Sequence, residues 1–136
     1  MAISNIYDLM LGEHEELDRR VIQLLVERQM PNVRLVGTAS TTTELLVWMH
    51  HRQAQLVVLD SHLPGMPLMT TLNLLLSRHP QLKVIILADY NEKRLMKNCL
   101  RFGAFAYLDR LFQPAQLLSS LTMATHVLDT LAQTEK

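Results

Sequence analysis

The sequence has one cysteine and no long apolar run among its 136 residues. Cys99 alone cannot form an internal disulfide, which fits a reducing compartment. No apolar stretch approaches the roughly 20 residues needed to cross a bilayer, and no cationic segment precedes the first apolar residues. We therefore expect a cytoplasmic protein that does not enter a membrane.

An excess of either charge is also missing, because 13 basic residues balance 13 acidic ones. No overall field therefore attracts nucleic acid or an anionic membrane, although local patches stay possible. Hydrophobic residues make up 49% of the chain, enough for a core without disulfide or metal support. We expect a single domain over residues 1–136.

Short apolar runs alternate with amphipathic segments. Strands are predicted at residues 6–11, 33–39, 56–60, 83–88 and 105–109. Helices are predicted at residues 15–29, after a cap at Ser40 or Thr41, and at residues 68–79, 91–101 and 114–133. Five alternations of strand and helix predict a doubly wound α/β fold, with a five-stranded parallel sheet between two layers of helices.

Polar residues follow four of the predicted strands. Asp60 ends a strand that is apolar at nearly every other position, and so is expected to be buried on both faces. The other strand ends carry Glu13, Asp89 and Arg110. Because ligands of open α/β sheets bind at the carboxyl edge, we expect these groups to converge near Asp60.

Several separated motifs occur in order along the chain, namely Leu-Val-Val-Leu-Asp60 with Leu63-Pro64-Gly65-Met66, then Val84-Ile85-Ile86-Leu87, and then Gly103-Ala104-Phe105-Ala106-Tyr107-Leu108. With these motifs, the chain resembles the receiver domain of two-component response regulators over essentially its whole length. Glu13-His14 is similar to the LuxR/NarL-type subfamily in particular. This resemblance implies a CheY-like sheet with strand order 2-1-3-4-5 and a function in signal transduction.

The resemblance also assigns site residues. Asp60 matches the aspartate that accepts a phosphoryl group from a histidine kinase, and Glu13, Asp60 and the His62 backbone carbonyl match ligands of Mg²⁺. Such an ion takes several oxygen ligands and neutralises the transferred group. Tyr107 matches an aromatic switch residue. The small Ala88 leaves room behind strand four, so the Tyr107 ring is expected to rest inward.

Three site positions depart from the family pattern. Gly12 replaces the first acid of a pair, Ala88 replaces a hydroxyl residue, and Arg110 replaces a lysine. We expect a degenerate receiver that regulates transcription through protein contacts, binds Mg²⁺ weakly, and has no enzymatic activity beyond any self-phosphorylation. In such a degenerate site, Asp60 is expected to pair with Arg110 through a bidentate contact without a metal ion. The alternative is a functional phosphoacceptor switched at Asp60.

Two surfaces are candidates for partners, which the resemblance suggests are a histidine kinase or another regulator. The first is a basic group on helix four formed by Lys93, Arg94, Lys97 and Arg101, which is otherwise a solvated face. The second is the end of the last helix, where Val127 and Leu131 can pack against helix one or support a homodimer. DNA contact is expected only through a C-terminal helix-turn-helix domain, which this chain does not include.

Other chemistries are disfavoured. The six histidines show no zinc-ligand pattern, so we expect them to be solvated, and Cys99 to be buried and inert. A flavodoxin-like flavin site is a remote alternative, because a phosphate loop needs a helix N-terminus without acids. Here Glu13, Glu15 and Glu16 follow the first strand.

Overall fold

The computed structural model describes residues 5–134 and contains one five-stranded sheet. Its strands are β1 Tyr7–Gly12, β2 Val33–Ala39, β3 Leu56–Asp60, β4 Lys83–Ala88 and β5 Ala106–Asp109. Its helices are α1 Glu16–Gln29, α2 Thr42–His51, α3 Leu68–Arg78, α4 Lys93–Phe102 and α5 Pro114–Thr134. All strands are parallel, in the order β2-β1-β3-β4-β5, which confirms the predicted fold class.

Several predicted boundaries differ from the observed ones by one or two residues, and two of these differences are informative. Strand β1 was predicted to stop before Gly12, but Gly12 is its last residue and pairs with Ala39 on β2 and Leu59 on β3. Helix α4 begins two residues later than predicted, after a 3-10 turn at Tyr90–Glu92. The Glu92 side chain accepts a hydrogen bond from the Asp89 N–H at 2.8 Å, which fixes that turn.

The core lies on both faces of the sheet. Helices α2, α3 and α4 cover one face with side chains such as Leu45, Leu72 and Cys99, whereas α1 and α5 cover the other. Cys99 is fully buried, and burial raises the pKa of its thiol, so the expectation of a buried cysteine is confirmed. Among residues 5–134, no helix is long and apolar enough to span a membrane.

The turn after β3 is fixed by a close contact with α2. Gly65 has a φ of +120°, and a Cβ placed there would lie 2.2 Å from the Thr42 Oγ1 atom. That hydroxyl accepts a hydrogen bond from the Met66 N–H at 2.8 Å, and the Thr42 N–H donates to the Pro64 carbonyl at 2.9 Å. Only glycine tolerates both the positive φ and the close approach of Thr42 without strain.

Helix α5 returns to the amino edge of the sheet. Near its end, Asp129 accepts a hydrogen bond of 2.6 Å from the hydroxyl of Tyr7, the first residue of β1. Burial and this hydrogen bond raise the pKa of the Tyr7 phenol. The contact fixes α5 against the start of the central strands, at the end of the domain opposite Asp60.

Candidate functional site

Asp60 lies at the carboxyl end of β3 with its side chain fully buried. Its Oδ1 atom accepts hydrogen bonds from the His62 N–H, at 3.0 Å, and from the guanidinium of Arg110. Its Oδ2 atom is buried and has no hydrogen-bond partner. One carboxylate oxygen is therefore neutralised by a cation of the protein itself, and the other has no such compensation.

Arg110 follows β5 and connects three groups. Besides Asp60, its Nε–H donates to Asp89 at 2.9 Å and its Nη2–H to the Ser61 hydroxyl at 3.2 Å. Partial burial opposes the charge of the guanidinium, but hydrogen bonds to Asp89 and Asp60 outweigh burial and raise the pKa of Arg110. The bond to Arg110 lowers the pKa of Asp89.

The pairing of Arg110 with Asp60 matches the expectation, but a bidentate contact does not form. Arg110 contacts only the Oδ1 atom of Asp60, through Nη1, while its Nε and Nη2 atoms donate to Asp89 and Ser61. Asp89 comes directly after β4, the strand that pairs with β5, so its carboxylate lies next to the Nε atom of Arg110.

Glu13 comes directly after β1 and is fully buried. Its Oε1 atom accepts a hydrogen bond from the Glu15 N–H at 3.1 Å, whereas Oε2 is buried without a partner. Burial, followed by the proximity of Asp60, raises the pKa of Glu13 to about 7. Glu13 and Asp60 therefore form a pair of buried carboxyl groups that favours a proton or a cation between them.

The space beside Gly12 is filled by apolar side chains. A Cβ at Gly12 would lie 3.1 Å from Leu63 Cδ2, 3.2 Å from Leu59 Cδ1 and 3.4 Å from Leu45 Cδ2. The first two contacts are tighter than ordinary van der Waals separations. A side chain at this position would therefore require the leucine side chains to shift by a few tenths of an ångström.

Ala88 and Tyr107 occupy the two other positions that the family resemblance singled out. Ala88 is buried in the core and presents no hydrogen-bonding side-chain atom to Asp60. Tyr107 is 38% exposed, so the expectation of an inward ring is wrong. Its neighbours Ala106 and Leu108 pack against the cluster formed with α1 and α5, and the alternation of a strand directs Tyr107 to the other face of this edge strand.

A second group of polar residues borders Asp60 and was missed in the sequence. The Nε2 atom of His62 lies 3.6 Å from an Asp89 oxygen and 3.3 Å from a Glu92 oxygen. Glu92 also accepts a hydrogen bond of 2.9 Å from Ser61. Asp89 had been noted at a strand end, but nothing in the sequence pointed to Ser61 or Glu92, which lie 31 residues apart.

Two histidines lie near carboxylates, which the sequence did not indicate. His14 and His62 are exposed, as predicted, and each also lies near two carboxylates, in the groups Glu13-His14-Asp60 and His62-Asp89-Glu92. The topology brings these carboxylates together from separate strand ends, which the sequence alone does not display. The basic residues of α4, namely Lys93, Arg94, Lys97 and Arg101, are exposed, and within residues 5–134 none of them forms an ion pair.

The strand order, the acidic carboxyl edge and the turn after β3 define a receiver-type α/β domain. A family profile described as "Response regulator receiver domain" matches residues 9–122. The chain belongs to this family, whose members are signalling domains rather than enzymes in general. With this assignment, the remote alternative of a flavodoxin-like protein is not the better description of the chain.

Known relatives include regulators of the LuxR/NarL type. The nitrate/nitrite response regulator NarL of Escherichia coli is 27% identical over 116 residues, which cover 85% of this chain and 53% of NarL. The Escherichia coli response regulator UvrY is 23% identical over 114 residues, 84% of this chain and 52% of UvrY. This chain therefore spans about half the length of either relative.

Solved structures show the same fold. The receiver domain of a LuxO repressor protein from Vibrio parahaemolyticus superposes with a TM-score of 0.85 at 18% identity. The superposition covers 96% of this chain and 98% of that domain. At this identity the likeness supports the architecture alone.

Receiver domains typically bind Mg²⁺ at their acidic edge, and an acidic group is present here. Glu13 and Asp60 each offer one buried oxygen without a hydrogen-bond partner, which suits a cation. Gly12 offers no side chain, and Arg110 already contacts the other oxygen of Asp60. The site thus has fewer free oxygen donors than the family pattern, whereas Mg²⁺ requires octahedral oxygen ligation.

Proposed function

We propose that this receiver domain acts by protein contacts and that Asp60 does not work as an efficient phosphoacceptor. The observation that carries the proposal is the contact between Arg110 and Asp60 Oδ1. A guanidinium at this place neutralises the nucleophilic carboxylate and so makes it less reactive toward a phosphoryl donor. Its further bonds to Asp89 and Ser61 hold it there without a phosphoryl group.

Weak Mg²⁺ binding is part of the same proposal. The remaining ligands would be Glu13, Asp60 and the backbone carbonyl of His62. Affinity at such sites depends on the number of charged ligands, and one carboxylate is missing at Gly12. Phosphoryl transfer also needs its developing charge neutralised, so a weakened ion would slow the reaction at Asp60.

The alternative is a functional phosphoswitch at Asp60. The unpartnered oxygens of Glu13 and Asp60 favour it, because a bound cation would satisfy both. In that case Arg110 would release Asp60 upon phosphorylation and bind the product through the same guanidinium. This alternative and the first proposal make opposite predictions about a covalent adduct.

For partners, we propose a histidine kinase or another regulator protein, in a pathway that controls transcription. NarL and UvrY are response regulators about twice as long as the matched segment. Contact with DNA would then belong to a further domain outside residues 1–136. The exposed basic residues of α4 are one candidate contact surface. Val127, 36% exposed near the end of α5, is a candidate for homodimer contact.

The proposal is tested by incubating the protein with acetyl phosphate and Mg²⁺ and measuring its intact mass. We expect no more than a trace of phosphoryl adduct on the wild type, and none on Asp60→Asn. The double variant Ala88→Thr/Arg110→Lys restores the hydroxyl and the lysine of the family pattern and is expected to gain the adduct. A stoichiometric adduct on wild-type Asp60 would show that the phosphoswitch alternative is right.

A further inference from the structure

The two unpartnered oxygens of the site belong to different carboxylates. Glu13 Oε2 and Asp60 Oδ2 are both buried, and neither has a hydrogen-bond partner. Leaving a buried acceptor unsatisfied costs about 1–3 kcal/mol, and more when the group is charged. Arg110 relieves only Oδ1 of Asp60. The arrangement therefore favours a further positive group beside these two carboxylates.

His14 supplies a nitrogen donor at the same place. Its Nδ1 atom lies 3.7 Å from Glu13 Oε1 and 3.8 Å from Asp60 Oδ2. Both distances exceed a hydrogen bond. In a tetrahedral site with bonds of about 2.1 Å, neighbouring ligand atoms stand about 3.4 Å apart. One ligand atom from each of the three side chains lies within 4.8 Å of the others, so side-chain movements alone would let them share one ion.

The other ring nitrogen of His14 is oriented by a carboxylate. His14 Nε2 lies 3.1 Å from Glu15 Oε1, so an N–H at Nε2 leaves the lone pair on Nδ1, facing Glu13 and Asp60. A carboxylate bonded to the second nitrogen is the usual companion of a metal-ligating histidine. The His14 side chain is 36% exposed, which gives an ion a route from solvent.

We propose that Glu13, His14 and Asp60 form a site for a divalent transition-metal ion such as Zn²⁺, which this site binds in preference to Mg²⁺. Imidazole nitrogen suits zinc and its neighbours in the first transition row, whereas Mg²⁺ takes oxygen ligands and dehydrates reluctantly. With Glu13 and Asp60 ionised, the site keeps a net negative charge, because Arg110 also pairs with Asp89. A water molecule would complete four ligands.

This inference goes beyond the proposed function, since the ion would use Asp60 Oδ2 while Arg110 stays on Oδ1. The neighbouring group of His62, Asp89 and Glu92 fits an ion less well. Among residues 5–134, the buried side-chain oxygens without a hydrogen-bond partner belong to Glu13 and Asp60, and neither Asp89 nor Glu92 has one. His62 is also more exposed, at 50%.

The test is isothermal titration calorimetry of the EDTA-treated full chain with Zn²⁺ and with Mg²⁺. We expect one Zn²⁺ per chain, bound at least about tenfold more tightly than Mg²⁺. His14→Ala should weaken Zn²⁺ binding about tenfold or more, whereas the matched variant His62→Ala should change it less than about twofold. Glu15→Gln should give an intermediate loss, because it disturbs only the orientation of the imidazole.

Co²⁺ substitution provides a second measurement. The visible absorption of the Co²⁺ complex should change in His14→Ala and stay the same in His62→Ala and in the double variant His50→Ala/His51→Ala. The inference is wrong if Mg²⁺ binds as tightly as Zn²⁺, if His14→Ala binds Zn²⁺ like the wild type, or if His62→Ala abolishes binding. Phosphorylation of Asp60 would contradict the proposed function and leave these three criteria unaffected.

Discussion

Arg110 and Asp60 lie 50 positions apart in the chain, and the guanidinium of the first contacts the carboxylate of the second at the carboxyl edge of the sheet. An arginine there differs from a lysine in more than length. Lysine presents a compact point charge, whereas the planar guanidinium donates in several directions at once. Arg110 uses that property to hold Asp60, Asp89 and Ser61 together.

Removing Arg110 should destabilise the fold, because Asp60 would be left as a buried charge without its counterion. We expect Arg110→Ala to lower the free energy of unfolding by about 2–4 kcal/mol at pH 7.5. Asp60→Asn removes the charge, so the double variant should recover part of the loss. Urea denaturation of the four proteins in this cycle measures the coupling. Strictly additive losses would mean that the contact contributes nothing.

An exposed ion pair provides the matched control. Arg34 contacts Asp8 at 2.8 Å, but its side chain is 66% exposed. Solvent screening limits such pairs to about 0–1 kcal/mol. Arg34→Ala should therefore cost far less than Arg110→Ala in the same urea titrations.

The raised pKa of Glu13 predicts a pH-dependent stability. The pKa is about 7 in the folded protein against a reference value of 4.5, so folding retains a proton that the unfolded chain releases. The contribution of Glu13 is fully present below pH 4.5 and is lost as the pH rises through 7. Glu13→Gln should match the wild type near pH 4 and exceed its stability by about 3 kcal/mol at pH 8.

That difference is measured by denaturant titration across the pH range with EDTA present, because a bound ion would offset the charge. Glu15→Gln, at the exposed neighbouring glutamate, is the control and should show no such growth with pH. A constant difference between Glu13→Gln and the wild type from pH 5 to pH 8 would argue against a raised pKa.

Restoring an acid at Gly12 should not restore a magnesium site. The Cβ alone meets leucine side chains at 3.1–3.4 Å, so Gly12→Ala should cost about 1–3 kcal/mol through overpacking. Gly12→Asp adds a charge against the same leucines and should cost more, without a gain in Mg²⁺ affinity. Thermal unfolding and Mg²⁺ calorimetry check both statements. Tighter Mg²⁺ binding at unchanged stability would contradict them.

Gly65→Ala should destabilise the turn after β3 by more than about 1 kcal/mol, since the φ of +120° strains any residue with a Cβ. The added methyl group would also displace the Thr42 hydroxyl, which accepts a hydrogen bond from the Met66 N–H. Thr42→Ser keeps that hydroxyl and serves as the control, with a smaller loss in urea denaturation. Wild-type stability in Gly65→Ala would refute the role of this turn.

The fold was predictable because strands such as β3 and β4 are short apolar runs between helical patterns, and parallel strands place their ends at one edge. For the same reason Asp60, Glu13 and Arg110 could be expected to meet. The start of α4 was not predictable, since a side-chain bond from Glu92 to the Asp89 N–H creates a 3-10 turn with no periodic signal.

Contacts between loops were also beyond sequence reasoning. Ser61 and Glu92 meet because the turns after β3 and β4 are neighbours, and spacing along the chain does not specify which side chains touch there. The inward placement of Tyr107 failed for a related reason. It was inferred from the space left by Ala88, whereas the position of the ring on an edge strand left it 38% exposed.

The contact between Tyr7 and Asp129 has a consequence for communication. Helix α5 has 21 residues, so it is roughly 30 Å long, and this contact holds its far end at the amino edge of the sheet. Any segment that continues from α5 leaves the domain on the side away from Asp60. A structural change at the acidic edge would therefore have to be transmitted across the length of the domain to reach that segment.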